Sequence, residues 1–352
     1  MSRFLSQEAE RLSPYTPGEQ PRNMKYIKLN TNESPFPPAP GVLKAVADEK
    51  ALNLYSDPTC AVLNRAIAKR YGLLPENVIS GNGSDELLAF AFRAFCGNGK
   101  PVAYADITYG FYKSQVALFG LEARRIPLGE DLSLNTADYR EFPGTIFIAN
   151  PNAPTGKAVP RAEIEALVQA DPNRVVVVDE AYVDFGAESC VPLIRQYENL
   201  LVVQTMSKSR SLAGGRVGFA MGCPALIDDL NRVKYSFNPY NVNRLSLLAG
   251  AAAVEDEPYF EACCAAIRQN RAWTTEALEA LGFQVLPSQA NFIFAQSERI
   301  SGKALYEQLK EAGVLVRWFD QDRIRNFVRI TIGSKEQMEA LIAEVQRLLA
   351  AE

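Results

Sequence analysis

Four consecutive valines at 175–178 run directly into a carboxylate, Asp179. A strand that is apolar at every position has no face to offer water. It must be covered on both sides, as a parallel strand lying between helices is. The chain repeats this pattern: apolar runs at 77–80, 101–105, 145–149, 200–204 and 217–221 take turns with amphipathic stretches from about residue 41. Residues 59–72 show the helical type, with Thr59 where an N-cap would stand, Val62, Leu63, Ala66 and Ile67 on one face, and Gly72 at the C-terminal cap. Strands alternating with helices predict an α/β fold, a sheet covered by helices on both faces.

The pattern changes after about Tyr240. Residues 245–281 read as one long helix, followed by strands near 284–286, 291–295, 314–317 and 328–332 and helices near 301–312 and from Ser334. These predict a second, smaller α+β unit. Residues 1–40, rich in proline and polar side chains, predict an extended arm with little regular structure. The expected organisation is an arm and entry segment over 1–40, a large domain over 41–244 and a small C-terminal domain over 245–352, which suits a length of 352 residues.

Composition narrows the chemistry. The sequence has no histidine, which excludes a Ser-His-Asp or Cys-His nucleophile, a His-ligated zinc and an imidazole base. Proton transfer falls to Lys, Tyr, Asp, Glu or Cys. With 37 Lys plus Arg against 41 Asp plus Glu, there is no basic footprint for nucleic acid. Cys60, Cys96, Cys190, Cys223, Cys263 and Cys264 form no C-x-x-C motif and read as free thiols in a reducing compartment, with no metal site. The polar N-terminus lacks a signal-peptide core, and the longest nearly apolar stretch, 245–254, is shorter than the ~18 residues of a membrane span. A cytoplasmic, membrane-free protein is expected.

Ligands of open α/β sheets sit beyond the C-terminal ends of the strands, so the turns there matter most. Gly-Asn-Gly-Ser-Asp at 81–85 precedes a helix start at Glu86, a place where backbone N–H groups gather an anion. Asp179, just past the valines, needs a cationic partner or serves as a helix cap. Lys208 follows the run 200–204 within Thr-Met-Ser-Lys, with Arg216 eight residues on. Partial burial would lower the pKa of such a lysine and favour its attack on carbonyl carbon.

Taken together and in order, these elements resemble the fold-type I pyridoxal phosphate (PLP) enzymes, specifically the histidinol-phosphate aminotransferase family. The matching segments are Asn-Thr-Asn-Glu-Ser-Pro at 30–35, Tyr-Ser-Asp-Pro at 55–58, the glycine turn at 81–86, Thr-Tyr-Gly at 108–110, and Asn-Pro-Asn-Ala-Pro-Thr-Gly at 150–156. They continue with Asp-Glu-Ala-Tyr at 179–182, Ser207-Lys208, Gly-Gly-Arg at 214–216 and Val-Arg-Ile-Thr-Ile-Gly at 328–333. The resemblance covers nearly the whole chain. It implies a large domain with a mostly parallel seven-stranded sheet, a smaller α+β C-terminal domain and an N-terminal arm. It also implies PLP as cofactor, small-molecule substrates, and amino transfer between L-histidinol phosphate with 2-oxoglutarate and imidazole acetol phosphate with L-glutamate.

Residue roles follow from the same resemblance. Lys208 would carry PLP and then move a proton between Cα and C4′. Asp179 would keep the pyridine nitrogen protonated, Tyr182 would bond the ring 3-oxygen and Tyr109 would stack on the ring. Ser84, Asp85, Ser207 and Arg216, with Thr205, would hold the cofactor phosphate, and Tyr55 would reach the phosphate of the partner subunit in a homodimer. Arg329 matches the arginine that grips a substrate α-carboxylate. Arg317 matches a substrate-phosphate position, Tyr15 (in Ser-Pro-Tyr-Thr-Pro-Gly at 13–18) would reach the same group, and Asn32 would touch substrate. The chain departs from the family pattern twice. Ala153 stands where an asparagine commonly meets the 3-oxygen, leaving that contact to Asn152 or Tyr182, and a bulky, acidic segment, Trp-Phe-Asp-Gln-Asp at 318–322, follows Arg317. The rival readings are an aromatic amino-acid aminotransferase, a threonine-phosphate decarboxylase and, outside enzymes, a PLP-sensing transcriptional regulator.

Overall fold

The valine run forms the inner strand of a seven-stranded sheet, with Val176, Val177 and Val178 wholly buried. The computed structural model describes residues 2–350 apart from 11, 13, 22 and 98; Ser13, the first residue of the arm motif, therefore lies outside the described residues. The strands in chain order are β1 (Ile27–Lys28), β2 (Val78–Gly81), β3 (Val102–Ala105), β4 (Ala123–Ile126), β5 (Thr145–Ala149), β6 (Val176–Asp179), β7 (Leu200–Thr205) and β8 (Gly218–Met221). They are followed by β9 (Phe283–Val285), β10 (Phe292–Ser297), β11 (Val314–Leu315), β12 (Arg317–Trp318) and β13 (Phe327–Thr331). The large sheet runs β2-β8-β7-β6-β5-β3-β4, and every neighbour pair is parallel except the two that involve β8. Each fully buried valine contributes about 1.5–3 kcal/mol by leaving water, so the central strands are the best-anchored part of the sheet. In register, Ala149 pairs with Asp179 and Asp179 with Val203, which brings the ends of β5, β6 and β7 to one level.

Three expectations need correction. β4 was not anticipated, because its Arg124 and Arg125 are exposed on an edge strand and break the apolar pattern. The helix at 61–71 is capped by Asp57, not Thr59: Asp57 Oδ1 accepts from Thr59 N at 2.9 Å and Oδ2 from Ala61 N at 2.9 Å. Gly72 does close that helix in the left-handed region, at φ 64°. The single helix over 245–281 is two, Arg244–Glu255 and Glu257–Ala280, broken where the Asp256 side chain caps Tyr259 N at 3.3 Å.

The first of these two helices packs on Pro40–Asp48 and Ala61–Tyr71, and its Leu247, Ala249, Ala253 and Val254 join the core under the large sheet. The expected boundary at 244/245 thus falls at the start of a helix that shares the core of the larger unit. A second core surrounds the antiparallel sheet β12-β13-β10-β9. The arm is not all irregular. β1 pairs in parallel with β11, and Leu29, 1% exposed, plugs into the second core. Among the described residues no helix is long and apolar enough to cross a membrane.

Candidate active site

A cavity of about 310 Å³ opens beyond the C-terminal ends of β5, β6 and β7, where the arm and β12–β13 close over the large sheet. It is lined by Ser84, Asp85, Tyr109, Asp179, Tyr182, Thr205, Ser207, Lys208 and Arg216, and also by Tyr15, Asn32, Arg317 and Arg329. Two expected residues stand elsewhere. Tyr55 is 78% exposed and stacked on Tyr240. Asn152 is buried behind the wall. Its Nδ2 donates to Ile107 O at 3.0 Å and to Thr155 Oγ1 at 3.1 Å, and its Oδ1 accepts from Thr108 Oγ1 at 2.7 Å. Ala153 lines the cavity in its place.

Asp179 ends β6, where the sheet register sets it on the cavity floor. Its Oδ2 accepts from Tyr112 Oη at 2.8 Å and its Oδ1 from Ala181 N at 3.2 Å. Among the described residues it forms no salt bridge, and burial pushes its carboxyl up to about 6, against the pull of those two donors. A buried carboxylate aimed into a cavity without a cation is a site built for a positively charged N–H. Lys208 follows β7, and its Nζ donates to Thr31 O at 3.0 Å. Burial, then the neighbouring Arg329 charge, pull this amine down to about 8. Near neutral pH it therefore holds its free, nucleophilic form far more readily than an ordinary lysine.

One end of the cavity is a cup for an anion. Gly83 caps the helix Ser84–Phe95, whose first two residues, Ser84 and Asp85, line the cavity at the positive end of the helix dipole. The cup depends on two glycines: a Cβ on Gly218 would lie 2.2 Å from Ser84 N, and one on Gly83 would lie 2.5 Å from Arg216 Nη2. Arg216 Nη2 reaches Asp85 Oδ2 at 3.3 Å, while Tyr109 Oη donates to Asp85 Oδ1 at 2.9 Å. Opposite, Ser207 N donates to Thr205 Oγ1 at 3.2 Å and Thr205 Oγ1 donates to Ser207 Oγ at 3.0 Å, so the Ser207 hydroxyl keeps its proton to donate at the cup. Arg216 and Asn32 face the cavity with φ of 50° and 58°, left-handed backbone that non-glycine residues adopt at a cost of order 1 kcal/mol.

The other end gathers cations. Arg329 Nη2 donates to Asn30 O at 3.0 Å, and its Nε is buried with no partner among the described residues. Arg317 donates to Thr16 O at 3.1 Å and to Pro17 O at 3.3 Å. Neither guanidinium has a carboxylate partner among the described residues. Tyr15 packs edge-on to Tyr109, with ring centroids 5.8 Å apart. Asn32 Nδ2 donates to Tyr182 Oη at 3.0 Å, and Thr331 Oγ1 holds Asn32 Oδ1 at 2.9 Å.

Sequence reasoning missed Tyr112, Thr31 and Thr331. Tyr112 stands three residues after Tyr109, and that helical spacing is a signal that could have found it. Thr31 acts through its carbonyl, which no side-chain pattern reports.

Comparison with known proteins points the same way. The family model described as aminotransferase class I and II matches residues 24–345. A histidinol-phosphate aminotransferase of Marinomonas sp. (strain MWYL1) is 52% identical over 353 residues, covering 99% of this chain and 100% of the relative. One from Acetobacter pasteurianus is 48% identical, over 100% of this chain and 99% of the relative. Among solved structures, the histidinol-phosphate aminotransferase of Sinorhizobium meliloti in complex with pyridoxal-5'-phosphate superposes with a TM-score of 0.89 at 25% identity, over 100% of this chain and 99% of that one.

Proposed function

The chain belongs to the class I and II aminotransferases, and we propose that it uses PLP to exchange amino groups between L-histidinol phosphate and 2-oxoglutarate, giving imidazole acetol phosphate and L-glutamate. The observation that carries this reading is the convergence of Lys208 and Asp179 with the two arginines Arg317 and Arg329 on one cavity.

The residues present fit the cofactor. Asp179, buried without a cation, would meet the pyridine N–H, and the glycine-lined cup with Arg216, Ser207, Thr205 and the amides of Ser84 and Asp85 would hold the phosphate. Tyr109 would lie on the ring face. Tyr182 accepts a hydrogen bond from Asn32, so its own proton is free to donate to the 3-oxygen. Asn152 has its side chain engaged elsewhere, so in our reading it supports the wall and Tyr182 carries that contact alone. When bound, PLP supplies a conjugated, protonated ring that accepts the electron pair released at the amino-bearing carbon. Lys208 Nζ, with its lowered pKa, would hold the cofactor at its carbonyl carbon, with water leaving, and, once displaced by the substrate amine, would carry the proton between Cα and C4′. Arg329 would hold the carboxylate of glutamate and, with Arg317 and Tyr15, the phosphate of the other substrate, with Asn32 alongside.

The test is to add L-histidinol phosphate, L-phenylalanine or threonine phosphate singly to the holoenzyme and follow the cofactor's absorbance. Histidinol phosphate should discharge the band with a kcat/KM at least ~100-fold above that of phenylalanine, as expected where a site's charged groups would be left unpaired by the wrong substrate. Equal rates would favour an aromatic aminotransferase, and CO₂ release from threonine phosphate a decarboxylase.

We also read the enzyme as a cytoplasmic homodimer. The free state of all six cysteines supports a reducing compartment. Tyr55 stacks on Tyr240 with centroids 4.5 Å apart, and nearby in sequence Leu52, Leu54 and Phe237 are 63%, 59% and 74% exposed, an apolar surface that suits a second copy. Tyr55 would then reach the partner's cofactor phosphate. Mixed subunits check this: Tyr55→Ala and Lys208→Ala proteins, each inactive alone, should regain up to about a quarter of normal activity after co-refolding, because a two-fold hybrid carries one intact site. No recovery would count against a shared site.

A further inference from the structure

Phe319 lies in the segment where the chain departs from the family pattern, and its neighbour Trp318 faces away, stacked on Tyr306 at 6.4 Å with its Nε1 bonded to Arg325 O at 2.7 Å. Phe319 instead lines the cavity. Its ring centroid is 5.5 Å from Arg317 Cζ and 5.6 Å from Arg329 Cζ. Behind it stands Phe294, edge-on at 6.4 Å, itself stacked on Phe327 at 4.6 Å, so the ring has a packed wall at its back.

We propose that Phe319 is a specificity-determining residue whose ring holds the Arg317 and Arg329 guanidinia converged on a single dianion, which selects a phosphomonoester over a carboxylate. The inference rests on the substrate reading above and sharpens it. Two guanidinia facing one small cavity repel each other, and among the described residues neither forms a salt bridge with a carboxylate. An aromatic ring attracts both cations through its π density, and one at nearly equal distance from each offsets part of that repulsion. A carboxylate is satisfied by one bidentate arginine, whereas the terminal oxygens of a phosphate can take two. Fixing the second arginine therefore benefits a phosphomonoester and leaves a monocarboxylate nearly indifferent. Arg317 depends on this ring most, because its other anchors are two carbonyls of the arm.

The experiment uses holoenzyme, whose phosphate cup is filled by the cofactor. Dissociation constants for ethyl phosphate and for acetate are read from the perturbation of the cofactor band in the unsubstituted enzyme and in Phe319→Leu, Phe319→Met and Phe319→Tyr. Leucine and methionine keep the bulk and lose the ring; tyrosine keeps it, and a variant is used if it retains the cofactor band. Without the ring, ethyl phosphate should weaken about tenfold while acetate changes less than about twofold, and tyrosine should stay near the parent. L-histidinol phosphate should lose kcat/KM mainly through KM. Equal weakening of both anions, or of neither, overturns the proposal. So does loss confined to histidinol phosphate with ethyl phosphate unchanged, which would mean that Phe319 stacks on the substrate ring. If the unsubstituted enzyme does not use histidinol phosphate at all, the substrate reading fails, while the ratio of the two anions still decides the role of Phe319.

Discussion

With Lys208 replaced by alanine, amino transfer from L-histidinol phosphate is expected to fall by at least ~10⁴-fold, the combined loss of a positioned nucleophile and a proton carrier. The size follows from the lack of a substitute. The sequence has no histidine, and the two carboxylates that line the cavity are engaged, Asp85 by Tyr109 and Arg216 and Asp179 by Tyr112. Lys208 bonds one backbone carbonyl, so its removal leaves the wall in place. The variant should still bind PLP, but borohydride should no longer fix the cofactor to the chain. Single-turnover absorbance gives the rate, and mass spectrometry after borohydride gives the linkage. A covalent cofactor in Lys208→Ala would refute the assignment.

Asp179→Asn is the second large effect, and it acts in opposite directions on activity and stability. Turnover should drop roughly 10²–10³-fold, because an amide cannot hold a proton on the pyridine nitrogen where charge develops. The cofactor-free protein should become more stable. Burial raises the folded pKa of Asp179 to about 6 from 3.8, so folding favours the protonated carboxyl. The stability this gives is fully present below about pH 4 and is lost as the pH rises through 6, where the buried group must ionise. At pH 8 the parent carries a penalty of ~3 kcal/mol that asparagine avoids, the equivalent of that shift. Thermal melts of the two cofactor-free proteins should therefore separate by a few degrees at pH 8 and converge near pH 4. A gap that does not depend on pH would mean that ionisation of Asp179 is not its source.

Much of the frame was legible because burial on both faces leaves a mark that needs no knowledge of neighbours: β5, β6 and β7 are apolar at nearly every position. Asp179 and Lys208 stood out for the same reason, each being polar just where such a run stops. The edge strand β4 lacked that mark, since half of it faces water. The break at Asp256 was hidden by apolar periodicity that continues through both helices. Tyr112 escaped because its partner is 67 residues away in sequence, and only the docking of its helix over the end of β6 brings the two together. Asn152 could not be read either way, since Ile107, Thr108 and Thr155 reach it only once the loop is folded.

The two-residue pairing of β1 with β11 ties the recognition half of the pocket into one inheritable block. Asn30, Thr31 and Asn32 follow β1 within four residues of its end, and Arg317 follows β11 by two, so the carbonyl that steadies Arg329, the carbonyl that receives Lys208 and the Arg317 guanidinium that lines the cavity share one splint. Asn291, just before β10, is stitched to it through Asn32 O at 3.0 Å. A designer who transplants residues 314–331 from a relative to change the accepted substrate would bring the arginines without their seats. The exchangeable cassette is discontinuous, residues 27–33 together with 291–331, and substrate preference in this scaffold should be swapped as that pair of segments.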